Sequence, residues 1–481
     1  MYPTNKTGNA HAAVVHRVGE VTENRALVIG GGIAGLLAAR VLADHFPRVT
    51  IVDRDRFPAV PEYRKGVPQS RHVHLLAGAG RRVIHRLVPG AERRVVEAGG
   101  VLLRVPQDIR WLNSAGWSAR FPTSHRFLSC SRELLEAAVR EEVLALPGVE
   151  TLEGREVTGL AVAAHGRSVV GVTARERHRE RGRERAQEPA GTPGGDGDDI
   201  AARLVVDASG RASGASGWLR SLGFPAPQEK VVADFFGYAS RLYRVPPGHG
   251  SDWLALHLEA DPPAQQRLGV IYPIEGDLWM VTLVGTENDA YPPTEESGFL
   301  DFAKTLRSPE LYEAIQDAEP AGPIHAFRHL ENRRRFYEKL RRRPEGFVVL
   351  GDAACAFNPI YGQGMAMAAE AAMVLERCLR EHPDAGPGLA ALFQKRLARK
   401  SSVPWAISTG RSLRYPSDEP PVGMVGRAAF HYIRRALAVS NSGNRQVAEA
   451  LLNVLHLIDT PAALLRPRVL VPTLLHKSGN I

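Results

Sequence analysis

The feature that most constrains this chain is the run Gly30-Gly31-Gly32-Ile33-Ala34-Gly35, placed directly after the apolar segment Arg25-Ala26-Leu27-Val28-Ile29. It is a G-x-G-x-x-G string between an expected strand and an expected helix over 35–44, with a second strand expected over 49–52. Strand, helix and strand within about thirty residues build a parallel sheet. The first glycine permits a tight turn, the second lets backbone approach a pyrophosphate, and the third lets helix and strand pack closely. The free N–H groups of the helix start then face the anion. Asp53 ends the second strand at the distance where a carboxylate accepts hydrogen bonds from ribose hydroxyls. The turn therefore predicts a bound dinucleotide.

The 481 residues suffice for two or three packed units, and 44% hydrophobic with 23% charged residues is ordinary globular composition. The three cysteines, Cys130, Cys355 and Cys378, lack paired or metal-ligand spacing. Neither a disulfide framework nor a metal site is expected, and reduced thiols point to the cytoplasm. No apolar run approaches the ~20 residues of a membrane span, and 1–24 lacks the apolar centre of a secretory signal. The net charge of +9 is spread along the chain as arginine, clustering only near 175–185 and 332–343 without interleaved aromatics. That disfavours a nucleic-acid partner.

Further elements follow from pattern. A helix is expected over 72–87, a hairpin over 111–121 and an amphipathic helix over 132–146. Strands are expected over 157–162, 169–174, 200–207 and 347–350, and a long alanine-rich helix over 363–380. An aromatic antiparallel sheet is expected over 231–286. The tail from Pro404 reads as mostly helical. Alternating arginine and glutamate, then proline, glycine and aspartate, make 174–199 a segment expected to be disordered. The fold class is α/β: a Rossmann-like domain, discontinuous in sequence, with an antiparallel-sheet substrate domain and a helical C-terminal region. The expected division is a flexible leader (1–24), nucleotide-domain pieces at 25–105, 126–227 and 331–400, a substrate-sheet hairpin (106–125), a substrate domain (228–330) and the helical region (401–481).

A second motif lies more than three hundred residues beyond the first. The strand Phe347-Val348-Val349-Leu350 ends in Gly351-Asp352 and runs through Asn358-Pro359-Ile360-Tyr361-Gly362-Gln363-Gly364 into a helix. Asp352 can bond a sugar-chain hydroxyl, and Pro359, Gly362 and Gly364 bring backbone close to a flat ring. The helix starting near Gln363 aims its positive end at that ring, which favours the charge a reduced flavin carries near N1.

Together these motifs resemble the FAD-dependent monooxygenases of the para-hydroxybenzoate hydroxylase fold, across nearly the full chain. The resemblance implies non-covalent FAD held by Gly30, Gly31, Gly32, Ile33, Ala34, Gly35, Asp53, Arg54 and Arg64. From the second half it adds Gly351 and Asp352 on the ribityl chain, with Pro359, Gly362, Gln363 and Gly364 along the isoalloxazine. Arg132, in Ser131-Arg132-Glu133-Leu134-Leu135, matches the family's pyrophosphate arginine. The string Arg64 to His74, with Asp207-Ala208-Ser209-Gly210-Arg211, is similar to a natural-product oxygenase branch that includes polyene epoxidases of polyether pathways, placing the chain in antibiotic and other secondary metabolism. His72 and His74 stand two apart on an expected helix start, so they do not share a face, and structural or cofactor-packing roles are assigned to them.

The resemblance implies that reduced FAD and O2 form a C4a-hydroperoxide whose distal oxygen passes to a hydrophobic substrate. Alkene epoxidation needs no protein base, and no acid–base dyad is evident; no catalytic side chain is assigned. Aromatic hydroxylation, a flavin-dependent reductase or dehydrogenase of isoprenoid-like chains, and a non-catalytic flavoprotein partner are the alternatives. The Asp207-x-x-Gly210 form departs from the Asp-Gly pair of the aromatic hydroxylases, so NAD(P)H serves as reductant either directly or through a separate flavin reductase. A halogenase Trp-x-Trp-x-Ile-Pro string is missing. Phe236, Tyr238, Tyr272, Trp279 and Tyr361 are the candidate substrate-pocket residues.

Overall fold

A computed structural model describes residues 17–18, 24–76, 78–177, 197–233, 236–262, 264–286, 289–328, 331–359, 362–412 and 424–476. Its nucleotide domain is a five-stranded, wholly parallel sheet in the order Phe347–Val349, Leu204–Asp207, Arg25–Ile29, Arg48–Asp53, Val149–Glu153. Such a sheet must be covered on both faces, which is why its central strands are nearly continuously apolar while the edge strand Val149–Glu153 is not; Leu27, Val28, Ile51, Val205, Val206 and Val348 are fully buried. The helix Ile33–Leu42 packs against the sheet and against the long helix Gly364–Glu381. It buries Leu36, Leu37, Val41 and Leu42 completely, each worth about 1.5–3 kcal/mol. On the other side lies a small sheet of Arg155–Ala163, Val169–Glu176 and Asp198–Ala201, with Arg17–Val18 along its edge.

The segment 200–207 is not one strand. Asp198–Ala201 belongs to the small antiparallel sheet and Leu204–Asp207 to the parallel sheet. The chain crosses between sheets at Ala202-Arg203, and strands joined without a glycine or proline between them carry no signal of the crossing. The segment 72–87 also departs from expectation. Pro68–Arg71 is a short 3-10 turn, His72 is extended (φ −117°, ψ 168°), Leu75–Leu76 is a strand, and the helix is Gly78–Leu87. Helical spacing of buried residues begins only at Ala79, Gly80, Val83, Ile84 and Leu87.

The substrate domain is a seven-stranded sheet running His325–Arg328, Phe236–Arg244, Leu278–Thr286, Leu268–Ile274, Ala255–Leu258, Ile109–Asn113, Gly116–Trp117. The early hairpin turns at Ser114-Ala115, with Gly116 (φ 109°) opening its second strand, and joins this sheet through one parallel pairing of Ile109–Asn113 with Ala255–Leu258. Glu229–Ala233 lies outside it and pairs with Glu331–Arg335. Residues 178–196 and Tyr361 lie outside the described residues. The flanks of that first segment pair as strands, Thr173 with Asp199 and Ala174 with Asp198, so the described ends of 174–199 are ordered. Helices Leu389–Ser412, Met424–Asn441, Arg445–Leu455 and Pro467–Leu475 form the C-terminal region. Among the described residues, no helix is long and apolar enough to cross a membrane.

Candidate dinucleotide and substrate site

Each glycine of the first turn has its own reason. Gly30 has φ 96°, and a Cβ on Gly35 would lie 1.8 Å from the Gly30 carbonyl oxygen, so both are needed for the strand to meet the helix. A Cβ on Gly31 would strike the Phe57 ring at 2.3 Å. Gly32 is different: its Cβ position is open, with only Arg64 Nη2 at 3.7 Å. Gly32 is also the N-cap of the helix Ile33–Leu42 and supplies no side-chain cap, which leaves N–H groups for an anion. The Gly31 N–H donates to Asp53 Oδ2 at 2.6 Å, and the Asp55 N–H donates to Oδ1 at 2.8 Å. Asp53 is thereby fixed at the strand end. Burial raises its carboxyl above the ordinary value, against the pull of Arg64. Arg54 is exposed beside it.

Next to this turn, Glu136 gathers three arginines. Its Oε1 accepts from Arg64 Nε at 2.6 Å, its Oε2 lies 2.8 Å from Arg132 Nη2, and Arg140 Nη1 is 3.9 Å away. Arg64 also reaches Asp53 (3.5 Å) and Asp55 (3.2 Å). All four members of the Glu136 cluster are buried. Burial penalises the Glu136 carboxylate, but Arg132 and Arg64 outweigh it and hold the carboxyl below its ordinary range. A cleft lined by Arg64, Ser70, Arg132, Glu133, Glu136 and Arg140 opens here. Arg132 begins the helix Arg132–Leu144, whose N-cap is the Ser131 hydroxyl accepting from the Leu134 N–H. Arg132 is therefore not the cap, and its Nη1 is buried without a partner, a spare donor suited to a phosphate oxygen.

The second motif folds against the first. Gly351 (φ 61°) would carry a Cβ 2.9 Å from that of Ala34, so the Gly-Asp turn sits on the start of the dinucleotide helix. Asp352 is half-buried, with Arg211 Nε 3.6 Å away. Asp207, by contrast, is fully buried and spent internally on Ser209 and Ser213. Cβ positions at Gly362 (φ 62°) and Gly364 meet nothing within 4 Å. Between them Gln363 is 2% exposed, yet neither amide atom has a partner. Open backbone flanking an orphaned buried amide is the donor–acceptor edge a flavin ring requires, and Arg132 Nη1 is the spare donor its pyrophosphate requires. The residues fit FAD.

The seven-stranded sheet divides the pocket candidates by strand alternation. Phe236, Tyr238, Ser240, Tyr272 and Thr282 share the face that packs toward His72, Leu75 and Phe127. Trp279 is on the opposite face with Trp253, beneath Glu296–Lys304 and Glu310–Ile315, and is not brought together with Phe236, Tyr238 and Tyr272. Both faces of Leu278–Thr286 are apolar, so composition did not reveal the parity. The Tyr238 hydroxyl donates to Asn358 Oδ1 at 2.5 Å, tying this face to Pro359. His72 lies within 6 Å of Tyr238 and Phe327, ring to ring. Burial, then the neighbouring His74, His325 and Arg71, whose charge would oppose a second proton, push it down to about 3, so it is neutral. Glu136, Ser240, Thr282 and Asn358 were not singled out from sequence. Only Glu136, four residues after Arg132 on one helix, and Asn358, inside the second motif, carried a usable signal. Among the described residues, no group of three or more His, Cys, Asp or Glu is placed to hold a metal ion.

Comparison with known proteins agrees with this geometry. The Mycobacterium tuberculosis protein Rv3254 is 34% identical over 408 residues, covering 82% of this chain and 80% of its own. A protein named kynurenine 3-monooxygenase from Salinispora arenicola is 28% identical over 384 residues, 76% and 75% of the two chains. Among solved structures, p-nitrophenol 4-monooxygenase PnpA from Pseudomonas putida superposes with a TM-score of 0.62 at 16% identity, covering 92% of this chain and 99% of its own. PqsL from Pseudomonas aeruginosa, in complex with 2-aminobenzoylacetate, superposes with a TM-score of 0.60 at 19% identity, covering 81% and 96%. A family model described as FAD binding domain matches residues 23–399. The chain thus belongs to the FAD-binding domain family, a flavoprotein of the FAD-dependent monooxygenases with the para-hydroxybenzoate hydroxylase-like fold.

Proposed function

We propose that the protein inserts one atom of O2 into a hydrophobic natural-product substrate, and that the reaction is epoxidation of an alkene. The observation that carries this reading is the Tyr238–Asn358 hydrogen bond, which ties this sheet face to the second motif, whose Gly362 and Gly364 leave their Cβ positions open. A substrate on that face lies against the proposed ring site. Bound and reduced, FAD supplies the activation of O2; the chain's own task is to bind, orient and exclude water. Gly32, Arg64 and Arg132 would hold the pyrophosphate, Asp53 the ribose, Asp352 the ribityl chain, and Gln363 the ring edge.

The chemistry of the face favours an alkene over a phenol. His72 is neutral at working pH, and burial pushes the Tyr272 phenol upward, so neither is poised as a base. An alkene attacks an electrophilic oxygen without losing a proton, whereas a phenol benefits from deprotonation. Aromatic hydroxylation is the second reading, favoured by the aromatic substrates in the names of the relatives. NAD(P)H would act as reductant, directly or through a flavin reductase. The test is turnover of polyene and phenolic panels under labelled O2, with and without an added reductase. Labelled epoxide from the polyenes supports the proposal. Labelled phenol alone selects the second reading, and unlabelled product overturns both.

A further inference from the structure

The string Pro68 to His74 leaves one group without a role in FAD binding. His72 is 8% exposed, with Nδ1 2.7 Å from the Ser240 hydroxyl. Ser240 lies 2.6 Å from the Thr282 hydroxyl, its direct cross-strand neighbour. Thr282 in turn accepts the Val73 N–H at 3.4 Å. Both hydroxyls are buried.

The direction of this chain fixes the proton on His72. If Nδ1–H donated to Ser240, Ser240 would donate to Thr282, and the Thr282 hydroxyl would hold two incoming bonds and a buried proton with no acceptor. Orphaned buried donors are costly. In the other direction each group is used once: Thr282 accepts from Val73 and donates to Ser240, and Ser240 donates to His72 Nδ1. The imidazole then carries its proton on Nε2. His74 next to it has the opposite arrangement, because its Nδ1 faces the His72 carbonyl, which only accepts (2.8 Å). His72 Nε2 has no protein partner among the described residues, Nδ1 being the ring nitrogen that Ser240 occupies. It stands on the Tyr238 side of the sheet, one side chain from Asn358 and Pro359.

We propose that His72 is a specificity-determining residue whose Nε2–H donates to an acceptor oxygen of the substrate, so that the preferred substrates carry a ketone, ether or hydroxyl oxygen beside the group that reacts. This rests on the substrate face assigned under the proposed function, but not on oxygen transfer itself. Ser240 and Thr282 are positioning residues that hold the tautomer. A neutral donor with its other nitrogen saturated discriminates against a hydrocarbon of the same shape, since an unsatisfied oxygen or N–H costs affinity.

Two measurements on the FAD-loaded, full-length protein test it without turnover. The first is the tautomer, read from nitrogen-15 NMR of labelled histidines with H72Q used for assignment. The proton is expected on Nε2 in the wild type, and as a mixture of both nitrogens in S240A. A proton on Nδ1 in the wild type overturns the proposal. The second is titration with acetophenone and with ethylbenzene, followed by the absorbance of bound flavin. The wild type should prefer the ketone roughly tenfold, and H72F should lose that preference by weakening the ketone alone. Equal affinities in the wild type, no ketone binding, or a parallel loss of both in H72F would each overturn it. Failure of the oxygenase reading would show separately, as absence of label in products.

Discussion

A Cβ placed on Gly35 would sit 1.8 Å from the carbonyl oxygen of Gly30, the tightest glycine contact in the dinucleotide turn. Helix and strand meet there backbone to backbone. G35A must therefore displace the helix Ile33–Leu42 from its sheet. We expect G35A to be recovered without flavin and with a lowered Tm. G32A meets open space and should fold with near wild-type Tm in the absence of flavin, while its FAD affinity falls. Calorimetry and flavin absorbance of both variants check this, and a flavin-replete G35A would contradict it.

Glu136 holds Arg64, Arg132 and Arg140 in a buried cluster. Removing one partner of such a cluster costs about 3–5 kcal/mol, because like charges are left uncompensated. E136A should lose that much in urea unfolding at pH 7, and ADP, which carries the pyrophosphate, should bind more weakly while riboflavin does not. Because the native carboxyl is depressed below 4.5, this stabilisation is present above that pH and is lost as pH falls through the native value.

Gln363 gives a prediction of opposite sign for stability and function. Two unpartnered amide atoms in a nearly sealed position destabilise the flavin-free protein. Q363L should raise the Tm of apoprotein by removing that penalty and should lower affinity for FAD. A variant that gains in both, or loses in both, would contradict the assignment of this amide to the ring.

Acid stability is set partly by neutral buried histidines. His72 and His456 are pushed from 6.5 down to about 3, chiefly by burial. Below 6.5 the unfolded chain takes up protons that the native state refuses, so stability falls with pH from 6.5 toward 3. Each site costs roughly 2 kcal/mol by pH 5. H456F should flatten the slope of unfolding free energy against pH between 6.5 and 5 by close to one proton.

The parallel sheet and both glycine motifs were legible because their residues act locally: a turn, a strand end and a helix start each occupy a few adjacent positions. What was hidden depends on register and parity. Ser240 and Thr282 become neighbours only through the pairing of two strands, and nothing in either segment announces it. Trp279 and Tyr238 fall on opposite faces of one sheet, yet both faces are apolar because helices cover one and the cofactor-side elements the other. The strand at Leu75–Leu76 lies inside an expected helix because a two-residue strand has no period of its own. The arginine cluster was half visible: Arg64 and Arg132 stand in recognisable strings, while Glu136, which orients them, is marked only by its helical spacing from Arg132.

The central claim is transfer of one oxygen atom from O2 to an alkene by the flavin-loaded protein. The most direct measurement is mass spectrometry of products formed from a polyene under oxygen-18 gas, with NAD(P)H and a flavin reductase supplied. The expected product is heavier by one labelled oxygen atom, as an epoxide. Substrate-dependent flavin oxidation that yields a product without label would contradict it.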